Sequence, residues 1–302
     1  MRIVLPAFLL AGLLAFPGVV PNTPGHLGSL VETALPWFGV GIPLLVLAAA
    51  VRRSRTGLAA ALVPATVWAA LFGPALLPEQ GASQADLKVL TLNVGGDRTA
   101  PREVARQVTG THADVVALEK VPGPAMKEYE KRLGAAYPHH VTRNTLGLWS
   151  RYPLKGVEAL NLGGAWPHAL RAVARTPGGD TAVYAVRLPS VRVTPGKGFA
   201  VRDRDASAAE LAERIGADPV RRVVLLGDLN GSLRDRGLAP LTRDLTDARE
   251  RAGRGPGFTW PAAFPVVRID HVLTRGLEAT GSEVLPDLGS DHRPVLTGLR
   301  LR

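Results

Sequence analysis

The sequence predicts an α/β sandwich preceded by an N-terminal bundle of about three transmembrane helices. Two observations predict this architecture. Charged residues are scarce over residues 1–80, where three long apolar runs follow one another. From Leu87 onward, short apolar runs that end at turn residues alternate with amphipathic helical patterns, as expected of a mixed α/β domain. We therefore divide the chain into a membrane region (1–80), a linker (81–86) and one domain (87–302), which at roughly 215 residues can bury a complete core.

The three apolar runs of the membrane region cover residues 3–20, 29–51 and 57–77. A spanning helix needs about 20 mainly apolar residues. Pro43, Pro64 and Pro74 lie within these runs, and packed membrane helices tolerate proline. The alternative for the first run is a signal peptide, although Arg2 is its sole positive flank and a small-x-small cleavage site is not evident. We therefore expect three spans.

The short basic segment RRSR at residues 52–55 predicts the orientation. Three arginines between the second and third runs favour the cytoplasmic side. The third run then exits outward, so we expect a multi-pass plasma-membrane protein whose domain lies outside the cytoplasm. The chain contains no cysteine, which excludes disulfides, thiolate zinc sites and cysteine nucleophiles and is compatible with an oxidising compartment.

The domain alternates strands and helices first and becomes strand-rich later. Predicted strands cover 87–94, 113–121, 145–154, 169–176, 180–189, 221–230, 257–260, 266–273 and 294–301, and predicted helices cover 101–110, 125–136 and 206–217. This order predicts two packed sheets flanked by helices. The net charge is +10, of which residues 81–302 carry +8. Such an excess favours an anionic partner, namely phosphate, nucleic acid or anionic lipid, although a solvated basic surface without a partner has the same charge.

Polar residues end several of the apolar strands. They are Asn93, Glu119, Asp228 with Asn230, Asp270, and the pair Asp291–His292. A carboxylate within an apolar strand is costly unless it is paired or bound to a cation. Five such positions at strand ends therefore predict convergence on one site. Glu119, Asp228 and Asp291 offer carboxylate oxygens of the kind that Mg²⁺ or Mn²⁺ prefers.

Seven short motifs occur in order along the whole domain: LNV, ALE, LWSRYPL, GDLN, FTW, RIDHV and SDHRPV. Each alone is weak, but in this order they resemble the endonuclease/exonuclease/phosphatase superfamily, which includes DNase-I-like nucleases, inositol-phosphate phosphatases and neutral sphingomyelinases. The resemblance implies a four-layer α/β/β/α sandwich. It also implies cleavage of phosphoester bonds with a divalent metal and an activated water.

The resemblance also implies a role for each matching residue. Glu119 is similar to the metal-binding Glu, Asn93 to the Asn that sets the metal and water shell, and Asp291 to the Asp near the metal. The expected metal is Mg²⁺ or Mn²⁺.

The remaining matches imply the catalytic roles. Asp228 resembles the residue that orients or deprotonates water, and Asn230 the one that contacts phosphoryl oxygens. His292 resembles the phosphoryl donor, with Asp270 behind it. An Asp behind a His raises the pKa of that His and keeps it a donor.

Two positions depart from the family pattern. The usual Gln-Glu is Leu118-Glu119, and Arg187 stands where the family often has His or Tyr. Arg binds phosphate well but is a poor acid. We interpret Arg187 as altered substrate binding, with Trp260 at the cleft rim as a second substrate contact.

Two further features leave alternatives open. Strand alternation sends His271 to the face opposite Asp270, so both a functional role and a packing role stay open for it. Residues 190–205 contain Arg192, Lys197, Arg202 and Arg204, and form either a solvated loop or a basic substrate loop whose Phe199 reaches lipid; we favour the substrate loop.

Three functions are compatible with the sequence. A membrane-anchored phosphatase would act on a phosphorylated lipid, since three spans before this domain resemble the actinobacterial teicoplanin-resistance membrane proteins, which are linked to dephosphorylation of undecaprenyl pyrophosphate in the cell envelope. An extracytoplasmic nuclease would explain the basic charge. A non-catalytic phosphate- or lipid-binding module would explain Arg187. We expect the phosphatase.

Overall fold

The computed structural model describes residues 3–76, 84–96, 99–164, 168–196 and 198–301. Arg2, Lys197, the last residue of the predicted 57–77 run and residues 81–83 of the predicted linker lie outside these ranges.

The N-terminal region is helical throughout its described part. It contains α1 (Val4–Ala15), α2 (Leu27–Ala34), a 3₁₀ segment (Leu35–Val40), α3 (Gly41–Val51) and α4 (Arg55–Phe72). By length and composition, two continuous helical segments among the described residues can cross a membrane, Leu27–Val51 and Arg55–Leu76. The twelve residues of α1 rise only about 18 Å, short of a hydrocarbon core of roughly 30 Å. The predicted bundle of three spans is therefore not confirmed.

The outer surfaces of these helices are apolar. In the described part of the chain, sixteen of the twenty exposed large hydrophobic residues belong to the first 76 residues, including Phe8, Leu47 and Leu62. Less than a fifth of either candidate span is buried within the protein. A core helix of a soluble domain would be mostly buried, so these surfaces are those expected of helices in contact with lipid.

The domain is built on two six-stranded sheets. The first has the order β13-β14-β1-β2-β4-β3, formed by Leu277–Val284, Val295–Leu301, Leu87–Asn93, Val115–Glu119, Leu146–Ser150 and His139–Arg143. The second has the order β11-β12-β10-β7-β6-β5, formed by Thr246–Asp247, Asp270–Arg275, Val223–Asp228, Gly179–Arg187, Ala169–Thr176 and Leu154–Leu160. A small hairpin, β8 (Val193–Thr194) and β9 (Gly198–Phe199), stands apart.

Helices cover the outer face of each sheet. They are α5 (Pro101–Gly110), α6 (Gly123–Leu133), α7 (Arg202–Gly216) and α8 (Ala239–Asp244). The short helix α9 (Ala248–Ala252) instead packs beside β13, with Ala248 in the core between the sheets. Strand alternation divides each strand between two cores. In β1, Val89 belongs to the core between the sheets, whereas Leu90 packs with α5 and α6. In β10, Leu226 faces the other sheet and Leu225 packs with α7. The layers are therefore α/β/β/α.

Several elements differ from the sequence-based expectation. The predicted strand 145–154 is two strands, because β4 ends at Ser150 in the first sheet and β5 begins at Leu154 in the second. Pro153 lies in this crossing and has no N–H to donate to a ladder. Residues 257–260 form no strand beyond an isolated bridge between Trp260 and Val267. The strands β3, β13 and the β8–β9 hairpin were not predicted.

The helical region contacts the domain at one end. Glu32 of α2 is buried and forms an ion pair with Arg236 at 2.8 Å, and the Arg236 backbone N–H also donates to Glu32. The indole N–H of Trp37 donates to the Val266 carbonyl oxygen at 2.7 Å. On the other span, the Ala75 carbonyl oxygen accepts a backbone hydrogen bond from the domain. These contacts lie at the helix ends opposite the RRSR segment.

Candidate active site

The candidate site lies at one end of the layer between the two sheets. Asn93 and Glu119 are register partners at the ends of β1 and β2. Asp228 and Asp270 are partners at the same end of β10 and β12. By strand alternation, each of the four lies on the face that contributes to the inter-sheet core. Four polar side chains from the two sheets therefore lie together at this end of the inter-sheet layer.

Asp228, Asp270 and His292 form the centre of this site. One ligand-type atom from each of the three lies within 4.8 Å of the others, and all three residues are buried. The His292 Nδ1 atom is 3.0 Å from Asp270 Oδ2 and 3.1 Å from Oδ1. Its Nε2 atom is 4.0 Å from Asp228 Oδ2. Because a carboxylate can only accept, Nδ1 is the donor to Asp270, and Nε2 is directed to the space beside Asp228.

The loop before β14 holds His292 in this position. The Ser290 hydroxyl donates to the Asn93 carbonyl oxygen at 2.5 Å and accepts the His292 backbone N–H at 3.1 Å. Ser290 thereby connects the end of β1 to the residue that carries the imidazole. The sequence analysis assigned no role to Ser290, although it lies within the SDHRPV motif.

The three central groups have shifted pKa values. Burial and the negative charge of Asp270 raise the pKa of Asp228 to about 6, and the nearby imidazole partly opposes this. For His292, burial acts to lower the pKa, but the charge and hydrogen bond of Asp270, with help from Asp228, raise it above its ordinary value. The site therefore favours a protonated imidazole beside a carboxylate that can exchange a proton near neutral pH.

Two asparagines orient the Asp228 carboxylate. The Asn93 side-chain amide donates to Asp228 Oδ2 at 2.8 Å. Asn230 donates twice, from its backbone N–H to Oδ1 at 2.9 Å and from its side-chain amide to Oδ2 at 3.0 Å. Asn230 adopts a left-handed backbone conformation, which Asn tolerates better than most residues. The predicted GDLN motif thus forms a turn that folds its Asn onto its own Asp.

Glu119 is fully buried beside the central groups. The Thr91 hydroxyl donates to its Oε1 atom at 2.6 Å, and Oε2 has no hydrogen-bond partner within the described ranges. Burial, followed by the charges of Asp270 and Asp228, raises the pKa of Glu119 well above its ordinary value. Thr91 was not predicted from the sequence, but it lies two residues before Asn93 and hence on the same face of β1.

A divalent cation would satisfy the carboxylate oxygens that the protein leaves unpaired. Besides Oε2 of Glu119, Oδ1 of Asp291 is buried and lacks a partner among the described residues. Unpaired buried oxygens are costly unless a cation binds them. Hard carboxylate oxygens are the ligands of Mg²⁺ and Mn²⁺, so the predicted ligands Glu119 and Asp291 fit such an ion. Asn93, the third predicted ligand, donates its side-chain N–H to Asp228 and accepts the Gly95 N–H through Oδ1, and its role as a ligand stays a prediction.

Arg187 lies at the same end of the second sheet, as the register partner of Asp228 on β7. Its Nη2 atom donates to the Ser190 hydroxyl at 3.2 Å, and its Nε atom is buried without a partner in the described structure. Its positive charge acts to lower the pKa of Glu119, against the larger effect of burial. The guanidinium is therefore close enough to the acidic cluster to affect it electrostatically.

Comparison with known proteins identifies the family. A sequence profile of the endonuclease/exonuclease/phosphatase family matches residues 90–292.

The chain belongs to this family.

Several proteins of known sequence or structure are similar to a large part of this chain. YbhP of Escherichia coli K12 is 27% identical over 268 residues, which is 74% of this chain and 100% of YbhP. The mannosyl-6-phosphatase of Bacteroides thetaiotaomicron superposes with a TM-score of 0.56 and 15% identity, over 70% of this chain and 99% of its own. Sphingomyelinase C from Streptomyces griseocarneus superposes with a TM-score of 0.53 and 18% identity, over 72% and 99%. Members of the endonuclease/exonuclease/phosphatase family are hydrolases that act on phosphoesters.

Three further residues that the sequence analysis discussed are Leu118, Trp260 and His271. Leu118 packs in the core beneath α5 and α6, on the face opposite Glu119, so the acidic cluster loses no polar group there. Trp260 is 39% exposed on the loop before β12, and its role as a substrate contact stays a prediction. His271 lies on the helix side of β12, where burial lowers its pKa to about 4 and its Nε2 atom contacts the Gly231 carbonyl oxygen at 2.9 Å.

The predicted basic substrate loop at residues 190–205 is wrong in part. Arg202 and Arg204 belong to α7, and Arg204 is fully buried in ion pairs with Asp205 and Asp235. A buried and paired guanidinium is unavailable to a substrate. The Phe199 backbone N–H donates to the Gly25 carbonyl oxygen at 2.9 Å, so the hairpin rests on the loop between α1 and α2.

Proposed function

We propose that the chain is a membrane-anchored, divalent-metal-dependent phosphoesterase that acts outside the cytoplasm on a phosphorylated lipid such as undecaprenyl pyrophosphate. The observation that carries the hydrolase part is the buried set of Asp228, Asp270 and His292, with Asn230 on Asp228. A pure binding module does not need a carboxylate oriented by two amides next to an imidazole with its own acidic partner.

The residues suggest a division of labour. Asp228, with a pKa of about 6, accepts the proton of the attacking water near neutral pH. His292, kept protonated by Asp270, donates its Nε2–H to the phosphoryl group. Asn230 donates its two side-chain N–H groups to Asp228 and to the Leu188 carbonyl oxygen, so we assign it to holding Asp228 in place. Charge that develops on the phosphoryl oxygens during in-line attack thereby meets the fixed donor of His292.

Glu119 and Asp291 would hold the metal, because their unpaired buried oxygens need a cation. The chemistry that a bound Mg²⁺ or Mn²⁺ supplies is positive charge beside the phosphoryl oxygens. Arg187 would add a further positive charge for the substrate. Arg187 cannot easily release a proton, so we assign it to binding and leave proton donation to His292.

The placement of the domain on the helices supports the membrane setting. The contacts of Glu32, Trp37 and Ala75 with the domain all lie at the helix ends opposite Arg52 and Arg53. If the arginine segment is cytoplasmic, the active site faces the other side. A site fixed at the outer surface would meet lipid headgroups at high local concentration. This arrangement favours the branch that resembles the teicoplanin-resistance proteins, and hence a role in antibiotic resistance.

The basic charge of residues 81–302 favours a second candidate, a tethered nuclease that acts outside the cytoplasm. A third candidate, a non-catalytic phosphate- or lipid-binding module, is motivated by Arg187.

The first experiment distinguishes the three candidate functions. It measures phosphate release from undecaprenyl pyrophosphate by the full-length protein in detergent with Mg²⁺, with EDTA and with Asp228→Ala, beside a plasmid-nicking assay.

Metal-dependent phosphate release that disappears in Asp228→Ala, without nicking, is the expected result. Nicking without phosphate release would replace the phosphatase by the nuclease. If wild type and variant both bind the lipid and neither hydrolyses it, the non-catalytic binding module is the correct candidate.

A further inference from the structure

A cavity of about 690 Å³ lies between the helical region and the domain. Its walls come from both candidate spans and from three segments of the domain. We call it the junction cavity and define it by six of its lining residues: Trp37, Val40, Trp68, Phe72, Arg234 and Arg268. A volume in this range suits a small molecule or part of a larger one.

The wall that the helices contribute is apolar. Trp37 stacks on Phe258 of the domain with ring centroids 5.7 Å apart, which closes one side. Trp68 and Phe72 of α4 have ring centroids 5.3 Å apart. Val40 is 54% exposed and lines the same space. An apolar cavity wall between aromatic rings suits a hydrocarbon chain.

The wall that the domain contributes is cationic. Arg234, Arg249 and Arg268 line it, against one lining carboxylate, Glu250. The Arg234 guanidinium lies 4.7 Å from the centroid of the Phe72 ring, where the two walls meet. Arg268 pairs with Asp247 through Nη2, while its Nη1 atom is buried and has no hydrogen-bond partner in the described part of the chain. The walls together match a molecule that is apolar at one end and anionic at the other.

The cavity shares its walls with the segments that carry the catalytic groups. Ser232 follows Asn230 by two residues, Phe258 precedes Thr259, and the Thr259 hydroxyl accepts the Asp270 backbone N–H at 3.3 Å. The helical walls belong to the ends of the spans that meet the domain. A lipid whose chain enters the bilayer at these ends would therefore pass the cavity before its headgroup reaches the site.

We propose that the junction cavity binds the first part of the apolar chain of a lipid phosphate, with Arg234 and Arg268 facing its anionic head. This inference rests on the proposed function and extends it, because it makes the chain next to the phosphate a recognised part of the substrate. Soluble phosphoesters then lack an interaction that lipid substrates have.

The test compares a long and a short substrate on the full-length protein in detergent. Val40→Trp fills the cavity, and Val46→Trp places the same ring on an exposed position of α3 that does not line it. Arg234→Gln removes one cavity charge, with exposed Arg243→Gln as its control. For Val40→Trp we expect the KM for undecaprenyl pyrophosphate to rise at least tenfold while kcat/KM for dimethylallyl pyrophosphate stays within twofold. Both controls should behave as wild type.

Equal losses on the two substrates, or an unchanged KM for the long one, would overturn the cavity proposal. If wild type hydrolyses neither substrate, the proposed function has failed and the cavity is judged by binding alone. Native mass spectrometry in EDTA then measures whether each protein retains farnesyl phosphate. Retention of the lipid by wild type but not by Val40→Trp supports the cavity proposal. Equal retention by both proteins, or by neither, rejects it.

Discussion

The contact between His292 Nδ1 and Asp270 is the residue-scale feature that controls protonation in this site. Since Asp270 raises the pKa of His292, the protonated donor persists to higher pH and is lost as pH rises through that pKa. Asp270→Asn keeps an acceptor but removes the charge. We expect the alkaline limb of the pH–rate profile to move to lower pH and turnover at pH 8 to fall roughly 10²-fold.

Steady-state phosphate release from pH 5 to 9 measures this effect. The control is Asp287→Asn, which changes an exposed carboxylate of the loop before His292. An alkaline limb that does not shift would show that His292 is not the proton donor.

The raised pKa of Asp228 predicts that this residue favours activity at a cost in stability. Its folded pKa of about 6 lies above the ordinary value of 3.8, so ionisation is harder in the folded protein. The free energy of unfolding therefore decreases as pH rises from 4 through 6, because the unfolded state then binds fewer protons. In EDTA, the Tm of Asp228→Asn minus the Tm of wild type should increase between pH 4 and pH 8. Scanning fluorimetry measures both Tm values, and a difference that does not depend on pH would contradict the prediction. Turnover of the variant should fall at least about 10³-fold.

The sequence predicted which polar residues come together, and the reason is the period of two along a strand. Asn93, Glu119 and Asp228 are the last residues of apolar strands and Asp270 is the first residue of β12, all on the inter-sheet face, so pattern alone assigns them a common side. The sequence did not predict the supporting hydroxyls or the burial of Arg204. Those depend on which loops meet, and loop geometry is not encoded in a periodic pattern.

At the scale of elements, Gly227 determines how β7 and β10 pair. Its φ is +146°, and a Cβ there would collide with the Val186 carbonyl oxygen. Gly227→Ala should therefore lower the free energy of unfolding by roughly 2–4 kcal/mol and displace the adjacent Asp228. Thermal unfolding and turnover measure the two effects. At Gly216, the last residue of α7, an added Cβ would lie 3.9 Å from Asp244 Oδ2, an ordinary contact distance. Gly216→Ala should therefore leave both nearly unchanged, and similar behaviour of the two variants would contradict the steric argument.

The ion pair between Glu32 and Arg236 connects α2 to the domain. Glu32 is buried and accepts both the side chain and the backbone N–H of Arg236. Removal of the Arg236 guanidinium therefore leaves a buried carboxylate without its opposite charge. A double-mutant cycle with Glu32→Gln and Arg236→Gln should give a coupling energy of roughly 1–3 kcal/mol in detergent unfolding. Strictly additive single effects would show that this contact does not hold the two regions together.

Elements with strong patterns were predicted, and elements defined by their neighbours were not. The buried strands β1, β2 and β10 and the helix α7 follow from apolar runs and helical periodicity. By contrast, β3 is half-exposed and polar, and β13 contains Gly281 at a register shift. Both form because an adjacent strand offers free backbone groups. After Ser150 the chain passes from the first sheet to the second. This change depends on tertiary packing, and a continuous apolar pattern in the sequence does not show it.

At the scale of the whole molecule, the absence of cysteine allows a clean test of topology. Thr56→Cys lies beside the arginine segment, and Lys155→Cys lies on the exposed edge strand β5. In intact cells, a membrane-impermeant maleimide should label Lys155→Cys at once and Thr56→Cys only after permeabilisation. The wild-type protein is the unlabelled control. Labelling in the reverse order would place the active site in the cytoplasm.

The several contacts between the helix ends and the domain have a consequence for substrate choice. In the proposed membrane setting, they would fix the height of the candidate active site above the bilayer, and this height would select substrates by the depth of their phosphate. A phosphate attached directly to a lipid chain lies at a constant depth, whereas a phosphate on a long sugar headgroup lies farther out. Selection by height needs no recognition of the headgroup, and it would spare phosphoesters that merely diffuse past the cell surface.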